Sequence, residues 1–449
     1  MKKIILILIV TIMSVQYAYA QSVDNQQPIK EGYPVYSLGD LYRIALERSE
    51  RIKITEEDLY IAERGKDKTL STLLPKLSAF GSYTRYTEDK LSSSGSIIQP
   101  EGSLSWGLRL DQTLSLSGRE ITAFKISKEN IEKAGYDLYA VREGYLLDVS
   151  LSYYDVLRAR RSLEIADANV ERLIKHRDAA KVRLRVGEVT KTAVLRAEAE
   201  LSGAQSDQIK AKNGLELSKA VLARVVGIEG KYELKETPDI NQHKMDSKYA
   251  DTIWALKQTA FAERAELKAL ELQKKMQEEQ IGYAKGAYWP AFSLEGVYSR
   301  KDEDPASASL NRESIYGGIR INFPFFEGGL RKAEVREAEA RHRQSALLYE
   351  DRKKAVNIEV ENAYLELMTQ EGITEKFRNQ VAYAEDNYKA VSRQFEFGLA
   401  NSIDVMDANT LLVTSERQMS DAQYNYQLSA LRLKRATGVL LKTVGGYIK

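Results

Sequence analysis

The chain has 449 residues, with 66 basic side chains, 64 acidic side chains and no cysteine. This length exceeds one small core, so a large domain or several domains are expected. The near-balanced charge leaves no electrostatic footprint for nucleic acid, and the lack of cysteine excludes disulfides and a cysteine nucleophile.

Residues 1–20 are predicted to be a secretory signal peptide. Lys2 and Lys3 precede an apolar run, and the segment Ala18-Tyr19-Ala20 fits a cleavage site. A lipid-modified N-terminus is not expected, because no cysteine follows that site. Further along, no apolar run approaches the roughly 18 to 20 residues that a spanning helix needs. We therefore expect an exported protein that is periplasmic, secreted or part of an outer-membrane β-barrel.

The remaining sequence is duplicated. The segment "LLPKLSAFGSYTR" at 73–85 matches "YWPAFSLEGVYSR" at 288–300, at a constant offset of 215 residues. Further on, "RVGEVTKTAVLRAEAEL" corresponds to "EFGLANSIDVMDANTLL", with Gly187 opposite Gly398. The predicted divisions are a first repeat at 21–227, an equatorial connector at 228–250, a second repeat at 251–438 and a C-terminal tail at 439–449.

Each repeat is predicted to begin with a helix, at about 38–72 and 250–286, and to continue with two strands. The strands are expected at about 76–86, 103–112, 291–300 and 314–323. In "SLSWGLRLDQ" the side chains alternate with period two, which places Leu104, Trp106 and Leu108 on one face of a strand. Strands of about ten residues have the length that crosses a bilayer when tilted.

Two long helical hairpins are predicted after the strands, at about 119–226 and 330–437. The first helix of each hairpin would be about 100 Å long, which no compact globular domain needs. Apolar positions spaced three and four residues apart indicate coiled-coil packing between neighbouring helices. The predicted corners between strands and helices are Pro75, Pro290, Gly118, Pro324, Gly328 and Gly329.

Four strands are too few to close a barrel, and an open sheet edge in lipid leaves backbone groups unpaired. The chain is therefore expected to supply part of a barrel, with two copies giving eight strands or three copies giving twelve. Short alternating strands with polar loops also occur in soluble β-ribbons. The membrane interpretation is favoured by the aromatic residues that flank the strands, namely Tyr83, Trp106, Trp289, Phe292 and Tyr298.

The duplicated plan resembles the TolC-like family of outer-membrane efflux proteins, as do "FPFFEGGLRKAEV" at 323–335 and "FEFGLANSIDVMDANTLL" at 395–412. The resemblance implies a mainly α fold class with a duplicated repeat, assembled as a homotrimer. A 12-stranded transmembrane β-barrel in outer-membrane lipid would stand on a periplasmic α-helical barrel.

The function that this resemblance implies is a passive exit duct in a tripartite export or type I secretion system. The implied partners are a periplasmic adaptor (membrane fusion protein) and an inner-membrane efflux pump or ABC exporter. The competing prediction is a soluble periplasmic coiled-coil or adaptor protein. No enzyme activity and no cofactor are expected.

The resemblance also assigns roles to the two turns between the long helices, which would form the periplasmic tip where an adaptor docks. The docking residues would be Val186, Gly187, Glu188 and Thr190 in the first turn, and Phe397, Gly398, Leu399, Ala400, Asn401 and Ser402 in the second. Asp404 and Asp407 fall on the channel constriction positions of the family. Three copies would form two acidic rings, which favour cations.

The same two aspartates have a second interpretation, which is compatible with the first. Acidic residues in the first turn of a helix suit its positive end, and Asn401 with Asp404 resembles a capping box. In the first repeat, Ala193 and Arg196 take the equivalent positions. Pairing of Arg196 with Asp407 across the repeat is a further hypothesis.

Tightly closed members of the family often tether the second turn with an arginine, where this chain has Ala400. Either Arg185 or Arg393 holds the closed state, or the channel opens more easily. The three histidines have no metal-site spacing and are predicted to lie on solvated helix surfaces: His176, His243 and His342.

Overall fold

A computed structural model describes residues 33–235, 253–307 and 309–444. The predicted signal peptide, residues 236–250 of the predicted connector and residues 445–449 of the predicted tail lie outside the described residues. None of the helices that it describes is both long enough and apolar enough to span a membrane.

The two halves of the described chain share a pair of helices, a pair of long strands and a long helical hairpin, in the same order. The first half consists of β1 (Val35–Tyr36), α1 (Leu38–Arg48), α2 (Glu50–Thr72), β2 (Lys76–Arg85), β3 (Lys90–Leu91), β4 (Ile97–Gln99), β5 (Gly102–Ser115), α3 (Arg119–Arg185), α4 (Lys191–Val226) and β6 (Glu233–Leu234). The second half consists of α5 (Ile253–Glu263), α6 (Ala265–Lys285), β7 (Ala291–Asp304), β8 (Glu313–Asn322), α7 (Leu330–Glu396), α8 (Ser402–Ala436) and α9 (Leu440–Val444). The prediction of a mainly α chain with a small sheet is confirmed.

The first helix of each half is divided in two, where the sequence predicts one continuous helix. The breaks lie at Ser49 and at Arg264, which are 215 positions apart and therefore equivalent in the duplication. Both residues have extended backbone, with ψ of 121° and 120°. Neither residue type breaks a helix by itself, so the cause lies in what packs against the two breaks.

Each break lies against the glycine that follows α4 or α8, the shorter helix of each hairpin. We call this region the equatorial junction. Gly227 follows α4, and its carbonyl accepts a hydrogen bond of 3.0 Å from the Arg48 guanidinium. Gly438 follows α8 in the left-handed conformation, with φ of 74°. A Cβ at Gly438 would lie 2.9 Å from the backbone nitrogen of Arg264, so only glycine fits there.

Ion pairs reinforce the second of these contacts. Glu266 lies within ion-pair distance of Arg435 and of Arg264, and the buried Arg264 also binds Glu359. Burial alone would raise the pKa of Glu266, but Arg435 and Arg264 together lower that pKa to about 2. The Glu266 carboxylate therefore stays charged, and its ion pairs with Arg435 and Arg264 persist down to strongly acidic pH.

The four long strands form one antiparallel sheet in the order β2-β5-β7-β8. The two halves of the chain meet at the centre of this sheet, where β5 pairs with β7 over 14 residues, from Gly102 opposite Asp304 to Ser115 opposite Ala291. Strands β2 and β8 are its two edges, and the sheet is open. The predicted strands at 103–112 and 291–300 are extended in the structure to Ser115 and Asp304, because the two continue to pair with each other.

The register divides the sheet into an apolar face and a polar face. The apolar face carries Leu77, Ala79, Gly81 and Tyr83 on β2, Leu104, Trp106, Leu108 and Leu110 on β5, Phe292, Leu294, Gly296 and Tyr298 on β7, and Ile315, Gly317, Ile319 and Ile321 on β8. The polar face carries Arg109, Glu295 and Arg320, in which both arginines lie within 4 Å of the glutamate. A sheet with one apolar face needs an apolar medium or a partner on that side.

The helices keep the lateral order of the strands. We call the side of the equatorial junction that faces the sheet the upper side. Above the junction, α2, α3, α6 and α7 lie side by side, and each is connected in sequence to β2, β5, β7 or β8. Below the junction the order is α4, α3, α8 and α7, so that α4 takes the place of α2 and α8 takes the place of α6. The predicted corner residues occupy the boundaries between strands and helices, with Pro75 before β2, Pro290 before β7, Pro324 after β8, Gly118 before α3, and Gly328 and Gly329 before α7.

The hydrophobic core is concentrated at the equatorial junction. Its largest cluster joins α1, α3, α4, α8 and α9 around residues such as Leu146, Tyr153 and Leu222. The ends of α3 and α7 that lie far from the sheet have a much smaller cluster, composed of Ala180, Val194, Phe395 and Val405. We expect the lower ends of the helices to open at lower free-energy cost than the equator, since they bury fewer apolar side chains.

We expect Gly438→Ala to destabilise the chain more than Gly230→Ala does. Both glycines have a positive φ, so each alanine costs about 1 to 2 kcal/mol of backbone strain. A Cβ at Gly230 has no atom within 4 Å, whereas one at Gly438 meets the Arg264 backbone. The clash adds about 1 to 3 kcal/mol. Denaturant unfolding followed by helical circular dichroism measures the difference, and equal losses for the two variants would show that the junction is not tightly packed.

Candidate functional site

The two turns between the long helices have the same backbone structure. In the first turn, Glu188 N–H donates to Arg183 O at 2.9 Å, and Gly187 N–H donates to Leu184 O at 3.1 Å. In the second turn, Leu399 N–H donates to Gln394 O at 2.8 Å, and Gly398 N–H donates to Phe395 O at 3.0 Å. Both are Schellman motifs, which end a helix and satisfy its last carbonyl groups.

The two turns lie together at the end of the molecule that is far from the sheet, and we call that end the tip. The small cluster joins Ala180 and Val194 of the first hairpin to Phe395 and Val405 of the second. The residues predicted for docking are thus brought together on one surface: Val186, Gly187, Glu188 and Thr190 from the first turn, and Phe397, Gly398, Leu399, Ala400, Asn401 and Ser402 from the second. The surface presents exposed apolar side chains, since Val186 is 65%, Phe397 78% and Leu399 79% accessible. Ser402 differs from the other predicted docking residues because its side chain is buried.

The start of α8 is held by a capping box. The Asn401 side chain accepts from the N–H groups of Ile403, at 2.7 Å, and Asp404, at 3.0 Å. In return, the Asp404 carboxylate accepts from the Asn401 N–H at 2.9 Å. The equivalent residue in the first half, Thr190, makes no side-chain capping bond. Asp404 therefore has a defined orientation at the beginning of its helix.

Asp407 lies one helical turn after Asp404 on the same helix, and both side chains are exposed. Within the described part of the chain, Asp407 takes part in no hydrogen bond or ion pair, and neither does Arg196. The pairing of Arg196 with Asp407 that the sequence suggests is therefore not formed between these residues of one chain. The carboxylate of Asp407 is exposed to solvent.

Arg183 binds both hairpins. Its Nε donates to the Glu188 carboxylate at 2.9 Å, which stabilises the first turn. Its NH1 group donates to the backbone carbonyl of Phe395 in the second hairpin at 2.6 Å, and its guanidinium lies 4.7 Å from the centre of the Phe395 ring. The side chain is mostly buried. Arg183 thus joins the end of α3 to the end of α7, and we call these contacts the arginine clamp.

The arginine clamp was not predicted from the sequence. Arg185 and Arg393 were the predicted tethers, but both side chains are exposed and form no ion pair or side-chain hydrogen bond among the residues described. A basic residue in the last turn of a helix is common, because it suits the negative end of the helix dipole. Arg183 was therefore indistinguishable from its neighbours until the partner carbonyl was known.

The prediction that the histidines lie on solvated helix surfaces is wrong for His176. This side chain is only 6% accessible, and its Nε2 lies 2.9 Å from the hydroxyl of Ser402, the first residue of α8. Its ring packs against Phe395 with 4.8 Å between the ring centres. The prediction failed because the second hairpin covers this face of α3. His342 is partly exposed, and His243 lies outside the described residues.

Within the described ranges, no group of three or more histidine, cysteine or acidic side chains is placed to bind a metal ion. The tip consequently combines exposed apolar side chains, two exposed aspartates, the arginine clamp and a buried histidine.

Comparison with known proteins identifies what this architecture is similar to. The family model described as "Outer membrane efflux protein" matches residues 41–228 and 256–439, which include both halves of the chain. The outer membrane protein TolC of Vibrio cholerae is 23% identical over 408 residues, which cover 90% of this chain and 91% of that protein.

Solved structures give the same result for the fold. A crystal structure of CusC aligns with a TM-score of 0.79 at 19% identity and covers 92% of this chain and 95% of its own. The outer membrane protein VceC of Vibrio cholerae aligns with a TM-score of 0.76 at 18% identity, covering 89% and 96%.

We expect Arg183→Ala to loosen the second turn, whereas Arg185→Ala leaves it unchanged. Loss of the guanidinium removes a charged hydrogen bond from the Phe395 carbonyl, an interaction worth about 1.5 kcal/mol or more. Hydrogen exchange of the Gly398 and Leu399 amides should accelerate about tenfold, since a difference of about 1.4 kcal/mol corresponds to that factor. Equal exchange in the two variants would show that the clamp does not hold the hairpins together.

Proposed function

Because this chain belongs to the outer membrane efflux protein family, we propose that it is the outer-membrane exit duct of a tripartite export system. As a member of the family it is an outer-membrane channel protein with long periplasmic helices, and it is not an enzyme. The observation that carries the proposal is the position of the tip. It lies at the far end of helices of 67 residues from a sheet that has one largely apolar face.

The sheet is the part of the chain that crosses the outer membrane. Its apolar face meets lipid, and its polar face, with Arg109, Glu295 and Arg320, lines an aqueous lumen. Trp106 and Tyr298 pack edge to face on the apolar side, where aromatic residues suit a membrane interface. Helices of 67 residues extend about 100 Å from this sheet into the periplasm.

The active assembly is a homotrimer. Strands β2 and β8 are free edges that run in opposite directions, so β8 of one copy can pair with β2 of the next while the sheet stays antiparallel throughout. Three copies supply 12 strands and close the barrel. Below the strands, three copies supply 12 helices at each level, because four helices lie side by side both above and below the equatorial junction. The structural repeats then correspond to 21–227 and 251–438, with 228–250 as the connector at the equator.

The tip is the docking surface for a periplasmic adaptor, which links the duct to an inner-membrane pump. Exposed Val186, Phe397 and Leu399 are the apolar contacts, and the Schellman turns hold them at fixed positions. The constriction is formed by Asp404 and Asp407 from three copies, which stack as two acidic rings one helical turn apart. Rings of carboxylates attract cations and oppose anions at this point of the duct.

The acidic rings can be tested by ion selectivity in planar bilayers. We expect Asp404→Asn combined with Asp407→Asn to lower the cation-to-anion permeability ratio about severalfold, because six carboxylates leave the narrowest section. Asparagine still accepts the Asn401 N–H bond, so the start of α8 is retained. The control is Glu396→Gln, an exposed acid at the end of α7. A ratio that falls equally in the control would mean that the two aspartates do not line the constriction.

The tripartite assignment can be tested by crosslinking in living cells. The chain has no cysteine, so Leu399→Cys carries a photo-crosslinker at a unique position. We expect it to capture a periplasmic adaptor protein that mass spectrometry identifies, because Leu399 is the most exposed apolar residue of the second turn. The class of pump that this adaptor serves then indicates the cargo.

The matched control for this experiment is Leu217→Cys, an exposed leucine on α4 far from the tip. Capture of the same adaptor from both positions, or from neither, would contradict docking at the tip. Recovery of the protein in the soluble periplasm would instead favour a coiled-coil or adaptor protein and would overturn the channel assignment.

A further inference from the structure

The imidazole of His176, on α3, is enclosed by the second hairpin. It contacts Phe395 at the end of α7 and Ser402 at the start of α8, and we call these three residues the histidine joint. The joint continues into the arginine clamp, because Arg183 lies over the same Phe395 ring. Any change at the imidazole therefore acts on the contact that holds the two hairpins together.

The surroundings of the imidazole favour its neutral form. Ser402 is the first residue of α8, so the ring faces the positive end of that helix. Arg172 and Arg183 lie on the same face of α3 as His176, one turn before it and two turns after it. Each of them is already paired with a carboxylate, Arg172 with Glu416 and Arg183 with Glu188.

The other charged groups around the joint do not neutralise an imidazolium. On α7, Tyr388 is the neighbour of Arg172, while Arg393 and Glu396 are exposed to solvent. On α8, Asp404 is engaged by the Asn401 N–H, and Asp407 is exposed. On α4, Lys191 and Arg196 are exposed and carry the same sign of charge as a protonated histidine. Among the described residues, the imidazole forms its hydrogen bond with the neutral hydroxyl of Ser402.

We propose that the histidine joint is a proton-sensitive latch, in which protonation of His176 separates the second hairpin from the first and loosens the tip. The consequence for transport depends on the proposed function, since a looser tip means an exit duct that opens more easily when the periplasm becomes acidic. The latch itself belongs to one chain and can be tested without transport.

The direction of the pH dependence follows from burial. Enclosure of His176 by apolar groups lowers the pKa of its imidazole below the ordinary value of about 6.5. In a separated tip the same side chain is solvated and recovers that ordinary value. The separated tip therefore binds the proton more tightly, so the stability of the closed joint is complete above about pH 6.5 and declines as the pH falls towards the lowered pKa.

The test measures the distance between the two hairpins as a function of pH. Val186→Cys and Leu399→Cys place one spin label on each turn of the otherwise cysteine-free chain, at positions that are both exposed. Doubly labelled chains are mixed with an excess of unlabelled chains, so that the distance within one chain dominates. Pulsed electron paramagnetic resonance on the full-length protein in detergent then reports the separation. On changing from about pH 7.5 to about pH 5, which brackets histidine titration, we expect a second, longer distance component. His176→Gln should abolish this component, because glutamine can bind the Ser402 hydroxyl but cannot titrate.

Three controls assign the response. His342→Gln removes a partly exposed histidine and should retain the longer component in acid. Asp404→Asn with Asp407→Asn should retain it as well, whereas its loss there would assign the acid response to the aspartates and overturn the proposal. His176→Leu provides a second side chain that cannot titrate, for the case that glutamine disturbs packing against Phe395.

The outcomes separate this inference from the proposed function. An unchanged distance distribution in the parent protein at acidic pH would overturn the latch, and so would a response that persists in both His176→Gln and His176→Leu. Either result leaves the adaptor crosslink at Leu399 unaffected. Conversely, a pH-dependent distance that needs His176 supports the latch even if no adaptor is captured.

Discussion

The free edges of the four-stranded sheet impose the constraint on which the rest of the structure depends. In lipid, the unpaired N–H and C=O groups of β2 and β8 have no water to bind, and each would cost several kcal/mol. Because the two edges run in opposite directions, copies of the chain can satisfy each other's edges in an antiparallel sheet. In the proposed homotrimer, assembly supplies the strand partners that a single chain lacks, and the number of strands per chain sets the circumference that the helices must also fill.

The helices meet this requirement through the break in each half. Above the equatorial junction, α2 and α6 occupy two of the four lateral positions, and below it α4 and α8 take those positions over. Four helices are therefore present at both levels, although only α3 and α7 extend along the full length. The breaks at Ser49 and Arg264 and the glycines at 227 and 438 are the points at which one helix ends against another. Most buried apolar side chains lie at this level, which leaves the tip as the less stable end.

Features that depend on local sequence were predictable. Alternation of apolar and polar residues predicted the strands, because successive side chains of a strand point to opposite faces. Gly187 and Gly398 predicted the turns, because a Schellman motif needs a residue with positive φ. The capping box at Asn401 followed from residue types three positions apart. The breaks at Ser49 and Arg264 were not predictable, because the glycines that pack on them are more than 170 positions away in sequence. The burial of His176 and the role of Arg183 were missed for the same reason, since each is defined by a partner in the other hairpin.

The arginine clamp joins the two hairpins of one chain although Ala400 occupies the second turn. A tether from position 400 would start in the second hairpin, whereas Arg183 starts in the first hairpin and binds a backbone carbonyl of the second. The bond to the backbone carbonyl does not depend on the side chain of the partner residue, whereas the contact of the guanidinium with the Phe395 ring does. The same contact surface includes His176, so Arg183 and His176 share Phe395. In the proposed latch, closure of the tip and its sensitivity to pH would therefore be two properties of one interface between the hairpins.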